Sequence, residues 1–211
     1  MSDFELLHHK PNKIGESVAY KITQVLKFTL NIFYGKKYAK RAVILETIAA
    51  VPGMVAGMFN HLKALRRMKD DEGWVRELLD EAENERMHLM IFLDVAKPTW
   101  IERLLVLLGQ GAFLIVYSLL YIISAKTAHR VVGYFEEEAC KSYTDFLNKI
   151  DDNTVENIPA PKIAKDYYNL NEDAKLRDVV LKIREDEAKH RDRNHGFANS
   201  FEEGDLPEHQ K

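Results

Sequence analysis

Residues 78–96 read LLDEAENERMHLMIFLDVA, with apolar residues at helical spacing and the block NERMHLM at 84–90 inside it. Glu85 and His88 stand three residues apart there. On a helix that spacing sets a carboxylate and an imidazole side by side on one face. The same pair recurs as Glu187 and His190 in REDEAKHRDRNH at 184–195. Two lone glutamates stand between and before these pairs: Glu46, the one ionisable residue from Ala42 to Asn60, and Glu136, which opens the run Glu136-Glu137-Glu138. Along the chain the order is Glu, Glu-x-x-His, Glu, Glu-x-x-His, each member in a stretch that reads as helix. A four-helix bundle holds two metal ions in its core with that order of side chains. The expected fold is all-α, a ferritin-like four-helix bundle.

Each part of this pattern has a plainer alternative. Glu-x-x-His alone is weak, since Glu5 and His8 share the spacing in a polar stretch with no helix to organise it. Glu46 could pair with Arg41 or Lys40 instead of a metal. Yet a lone carboxylate in so apolar a window costs several kcal/mol to bury unpaired, an estimate of about that order even after relaxation. The acidic run at 136–138 would ordinarily be a solvated face. Helical rows separate its members. Glu136 shares a row with His129, Gly133, Cys140, Tyr143 and Leu147, whereas Glu137 and Glu138 share theirs with polar residues such as Lys141 and Asp145. Glu136 is therefore expected to point inward and the other two outward. Four inward carboxylates need cations, and oxygen-rich sites with one imidazole per metal suit Fe or Mn better than Zn. Asn84, Asp186 and His129 lie beside or in register with these residues and are expected to orient them. His61 and His195 are expected to be structural or exposed.

At 211 residues the chain is long enough for one core, and residues 1–211 are expected to form a single domain with flexible tails at 1–13 and 200–211. Residues 1–41 hold eight Lys/Arg against three Asp/Glu, a charge of +5, which leaves −8 for the remainder of a chain whose total is −3. A basic, apolar N-terminal segment suits an anionic membrane surface better than nucleic acid. The single Cys140 excludes an intramolecular disulfide and fits a reducing compartment. The N-terminus reads neither as a secretory signal nor as an Arg/Ser-rich transit peptide.

The periodicity predicts helices over 14–34, 38–68, 74–96, 100–127 and 128–150, a short turn at 163–170, and a last helix from an Asn171 cap to about Asn199. Pro52 should kink the second. Ala49, Gly53 and Gly57 form a row of small residues, read chiefly as close packing. Leu104 to Ala125 carries no charge, which by length alone is a membrane-span candidate. Spanning would separate two neighbouring helices that must serve one site, and those helices are too charged to cross. Residues 104–125 and 14–34 are therefore expected to lie in the membrane interface as additional helices.

LETIAAVPGMVAGM at 45–58, NERMHLM at 84–90, EEEA at 136–139 and REDEAKHRDRNH at 184–195 resemble the four signature blocks of the alternative oxidases. DVAKPTW at 94–100, AHRVVGYFEEEA at 128–139 and IPAPKIAKDYY at 158–168 are similar to the family as well, over roughly residues 37–198. The resemblance implies a cyanide-insensitive, non-proton-pumping ubiquinol oxidase that reduces O₂ to water. Two oxo- or hydroxo-bridged iron ions would be held by Glu46, Glu85, His88, Glu136, Glu187 and His190. It implies a homodimer in one leaflet of the mitochondrial inner membrane, on the matrix side, with no nucleic-acid partner. Tyr143 matches a tyrosine near the metals, a candidate redox or proton donor; Asn84, Asp186, His129 and Tyr121 match surrounding positions. Arg41, Leu45 and Ala139 match the quinol pocket, and Ser142 stands there where Thr is common. Tyr168 stands where the family usually has Trp, and the regulatory cysteines of plant members have no counterpart. A di-iron quinone hydroxylase or a ferroxidase would share the ligand set.

Overall fold

A computed structural model describes residues 7–34 and 38–211, with side chains from 7 to 28 and from 38 onward. Its elements are α1 (Ile14–Tyr34), α2 (Tyr38–Arg67), α3 (Trp74–Ala96), α4 (Trp100–Ile123), α5 (Ala125–Asp151), α6 (Lys162–Tyr168) and α7 (Leu176–Glu203). The fold is all-α. Two antiparallel hairpins form its centre. In the first, α2 turns through 68–73 into α3, whose start is set by Gly73 in the left-handed region at φ 89°. A Cβ on Gly53 would lie 2.5 Å from the Leu78 carbonyl oxygen, so the small-residue row serves the contact of α2 with α3. Pro52 lies inside a helix that continues through it. In the second hairpin α5 runs against α7, with α6 in the connection. A core of Ile91, Phe92, Phe146, Val179 and Ile183 joins α3, α5 and α7 below the site.

The boundaries differ from expectation in two places. The break expected after residue 127 falls at Ser124, whose extended backbone ends α4 and whose hydroxyl accepts from the Thr127 N–H at 3.2 Å. A serine cap outweighs the continuing apolar pattern. The last helix starts at Leu176 rather than at an Asn171 cap. Asn171 is spent on a turn, its carbonyl accepting from Ala174 N at 3.1 Å, and the Asp178 carboxylate reaches back to Lys175 N at 2.9 Å.

Among the described residues, histidines in both expected tails anchor them to the rest of the fold. Helix α7 continues to Glu203, and the chain then folds back to bury His209, whose Nε2 meets Asn60 Oδ1 at 2.8 Å. At the other end His8 and His9 bind carboxylates in the bundle, as described below; residues 1–6 lie outside the described residues. In each case a histidine finds a buried acceptor, a partner invisible to local composition.

Helix α4 is held to α2 by Gln110, which donates to the Thr47 carbonyl at 3.1 Å, and at its start by a Thr99–Glu102 capping box. Its outer face leaves Leu104, Leu108, Ile115, Leu119 and Ile122 exposed, and α1 exposes Val18, Val25 and Phe28.

Candidate metal centre

Each central helix delivers its acidic residue inward. Glu46 comes from α2, Glu85 and His88 from α3, Glu136 from α5, and Glu187 and His190 from α7; all six are buried. Their donor atoms fall into two groups, Glu46–Glu85–His88–Glu187 and Glu85–Glu136–Glu187–His190, and within each group the atoms lie within 4.8 Å of one another. Glu85 and Glu187 belong to both. Two shared carboxylates, flanked at each end by one further glutamate and one histidine, are the donor set of a dinuclear centre.

The contacts inside the cluster are close but poorly satisfied. His88 Nδ1 lies 3.2 Å from Glu46 Oε2 and 3.1 Å from Glu187 Oε1. His190 Nδ1 lies 2.6 Å from Glu85 Oε1, yet neither atom has a hydrogen-bond partner, nor has Glu85 Oε2 or Glu187 Oε1. Buried polar atoms are normally paired. Apart from the His88–Glu46 hydrogen bond, donor atoms that converge and are left unpaired fit a pair of cations at their common points.

The electrostatics agree. Burial first, then the charge of Glu46, pushes the Glu85 carboxyl up to about 8. Burial and the charges of Glu85 and Glu46 push Glu187 up to about 7. Burial and Glu187 push Glu136 well above the usual carboxylate range. Burial opposes charge on His88 too, but hydrogen bonds to Asp186, Glu187, Glu46 and Glu85 overcome it and raise its pKa well above normal. Glu46 is held below the usual range, against burial, by His88, Glu85 and Tyr143. Without added cations burial and mutual repulsion favour protons on Glu85, Glu136 and Glu187.

The surrounding residues sort by distance. The Tyr143 hydroxyl donates directly to Glu46 Oε1. Asp186 faces His88 Nε2 at 3.6 Å and accepts from Tyr168 OH at 2.9 Å and Asn84 Nδ2 at 3.3 Å. It can fix the His88 ring from outside, as a carboxylate behind a metal-binding histidine does. The Tyr168 phenol supplies a hydrogen bond at this place. His129 and Tyr121 do not touch the cluster. His129 Nδ1 meets Asn194 Oδ1 at 3.1 Å, and Asn194 Nδ2 in turn donates to the His190 carbonyl at 3.0 Å; Tyr121 OH reaches this chain through His129 Nε2 at 3.2 Å. Burial pushes His129 down to about 4, so it is the neutral member of that chain.

Arg41, Leu45 and Ala139 are brought together in one small pocket with Thr23, Lys27, Phe135 and Glu138. Lys27 pairs with Glu138 across it at 2.5 Å. Ser142, expected in this pocket, lies one turn further along α5 and is not among its lining residues.

Sequence reasoning missed two features. Glu81 is buried one turn before Glu85, accepts from Asn194 Nδ2 at 2.8 Å, and is pushed by burial up to about 7. The i, i+4 spacing to Glu85 was the available signal. Glu137, expected to face outward, is buried. It accepts from His8 Nδ1 at 2.6 Å, His9 N at 2.9 Å and His195 Nε2 at 3.0 Å. Its partners come from outside its own helix, which row analysis cannot see. His195 is structural, stacked on His9 with ring centres 5.0 Å apart, and His61 is exposed.

Residues 1–199 match the family model described as alternative oxidase. The chain belongs to the alternative oxidase family. Among similar family members, "Ubiquinol oxidase 1c, mitochondrial" of Arabidopsis thaliana is 54% identical over 188 residues, covering 89% of this chain and 57% of that protein. "Ubiquinol oxidase, mitochondrial" of Batrachochytrium dendrobatidis is 55% identical over 193 residues, covering 92% of this chain and 61% of its own length. The chain thus spans somewhat over half the length of the family members it resembles.

Proposed function

We propose that this chain oxidises ubiquinol and reduces O₂ to water at two iron ions held by Glu46, Glu85, His88, Glu136, Glu187 and His190. The observation that carries the reading is the pair of donor groups sharing Glu85 and Glu187, in a chain of this family. The balance is two quinols and one O₂ giving two quinones and two waters, so electrons and protons both come from quinol. Bound iron would supply the redox chemistry; the protein supplies orientation and a dry setting.

The chain's own residues have separate tasks. The pocket of Arg41, Leu45 and Ala139 receives the quinol ring, with the guanidinium beside its oxygens and Ser142 beyond its end. Tyr143 stands with its hydroxyl on Glu46, and burial and the Glu46 charge keep that phenol protonated, so it is placed to hand over a proton. Asp186, with Asn84 and Tyr168, holds the His88 ring. His129 and Tyr121 brace α7 through Asn194 and act at one remove.

The same reading places the protein on one leaflet of the mitochondrial inner membrane, on its matrix side, as a single domain that pairs into a homodimer. The exposed apolar faces of α1 and α4 support contact with lipid, and the family members quoted are named mitochondrial. Helix α4 joins the end of α3 to the start of α5, and both belong to one bundle, so it lies on the membrane instead of crossing it.

Iron quantification with oxygen uptake tests the proposal. Purified protein should bind two irons and consume O₂ with quinol as sole reductant, in the presence of cyanide. Uptake with ferrous iron but not quinol would make it a ferroxidase; a hydroxylated quinone product would make it a hydroxylase.

A further inference from the structure

An open groove of about 700 Å³ runs between α1 and α4, walled by Val25, Val116 and Leu120 and reaching inward to Ile48, Phe113 and Val131. Those three inner residues also wall a second, narrower cavity of about 10 Å³ between α2, α4 and α5. The rest of its lining is Ala49, Pro52, Val132, Phe135 and Glu136. Glu136 is the one polar side chain in it, and it is a member of the metal cluster. A continuous apolar wall therefore leads from the outer face of the protein to the cluster.

Size and chemistry select the occupant. The inner cavity is about the size of one water-sized probe, but a confined water needs roughly two to four polar partners, and apolar cavities that lack them stay dry and accept apolar gases when large enough. The lining offers a water one polar side chain, so an apolar gas is less penalised there than water is. The outer groove opens between the apolar helices, where such a gas dissolves better than in water. The charged pocket of Lys27, Arg41 and Glu138 is a different approach, and the Phe135 ring is the wall common to it and the inner cavity. A quinol head needs polar contacts, which the inner cavity offers only at Glu136, whereas the other pocket, of similar size, carries Lys27, Arg41 and Glu138.

We propose that dioxygen reaches the cluster through this groove and the cavity behind it, with Ala49 and Val132 setting the bore. The inference rests on the oxidase reading, and supplies its second substrate with a route separate from the first. Crystals of the iron-loaded protein under xenon pressure should show xenon in the inner cavity. Ala49→Leu fills that space from the less crowded α2 side. It should abolish the xenon peak and raise KM for O₂ about tenfold, while KM for quinol, iron content and melting temperature stay put. Ala49→Val should do the same in smaller measure, which guards against a misfolded Leu variant. No xenon in the cavity, an unchanged KM for O₂ in both variants, or a rise in KM for quinol instead would overturn the route; the last would assign the groove to the isoprenoid tail. Xenon in place with no quinol-dependent uptake would sink the oxidase reading and leave a gas passage. Uptake with no xenon site and no effect of Ala49 would do the reverse.

Discussion

Glu136 and Glu137 are consecutive, both buried, and electrically opposite. Glu136 turns toward Glu187 and Glu85, and its carboxyl is pushed far up by burial and by those charges. Glu137 turns toward His8, His9 and His195, and their hydrogen bonds hold its carboxyl below the usual range although burial pulls the other way. Behind it the buried Arg130 pairs with Glu16 at 3.0 Å and reaches His195 Nδ1 at 3.0 Å and Asn199 Oδ1 at 2.7 Å. One face of α5 thus meets acids partnered by the protein's own arginine and histidines. The other holds acids with two histidines and no arginine or lysine among the groups that converge there. A buried carboxylate supplied with arginine or histidine is architecture, while a group of them left with one another is a donor set that added cations would stabilise.

The sharpest way to break this contrast is to remove each acid in turn. Glu136→Ala should lower bound iron and take quinol-dependent O₂ uptake to background, while the fold, read by circular dichroism, survives. Glu137→Ala should leave iron bound per folded molecule and instead lower unfolding free energy by about 1–3 kcal/mol, because His8, the His9 N–H and His195 lose their buried acceptor. Denaturant titration and metal analysis on the two variants decide it. Equal iron loss in both would mean that the two clusters are one system.

Removing the metal separates the faces by pH. Glu85 in the metal-free fold keeps its proton up to about 8, against 4.5 for the free side chain. A raised folded-state pKa contributes stability that is complete below the unfolded value and is lost as pH rises through the folded one. Glu187, up to about 7, acts in the same sense. Metal-free protein should therefore lose on the order of a few kcal/mol between about pH 5 and pH 8. Glu137 has the opposite sign, since its lowered pKa gives stability that fades only in acid. Iron should remove the alkaline loss, because cations replace the protons. Thermal melts of metal-free and iron-loaded protein across that range check the prediction; parallel curves would contradict it.

The same contrast explains what could be read from residue order. Glu46 announced itself because α2 offers no other charge near it, and the two Glu-x-x-His pairs because helical spacing is local. Glu137 did not, since its partners stand 128 and 129 residues away in the N-terminal segment and 58 away in α7. Composition also fails to tell α2 from α4. Both are long enough and apolar enough to cross a membrane, with mean hydropathies of 1.8 and 2.1 over the best window, yet 67% of one window is buried and 11% of the other. Glu46 and the Gly53 contact with α3 draw α2 into the bundle; α4, tied by Gln110, keeps its outer face bare. The Ser124 break and the docking of His209 likewise depend on a cap and on an acceptor, Asn60, that an apolar pattern does not show.

Gly133 offers the smallest and finest test, because the nearest side chain to it is His195, a partner of Glu137. A Cβ there would lie 2.6 Å from the His195 ring, and that ring is pinned by Glu137, Arg130 and the stack on His9. Two effects compete in Gly133→Ala. Alanine in mid-helix gains up to about 1 kcal/mol over glycine. Forcing a methyl into a filled contact costs about 1–3 kcal/mol, and the imidazole cannot swing aside without giving up a hydrogen bond to a buried charge. The second should win, leaving a net loss of roughly 1–2 kcal/mol in denaturant unfolding. Iron content and turnover per iron should not change, since the nearest atoms the added methyl meets belong to His195 and not to the cluster. A stabilised variant would show that His195 yields easily and that the Glu137 cluster is looser than its distances suggest; lost iron would show that α5 carries strain from one face to the other.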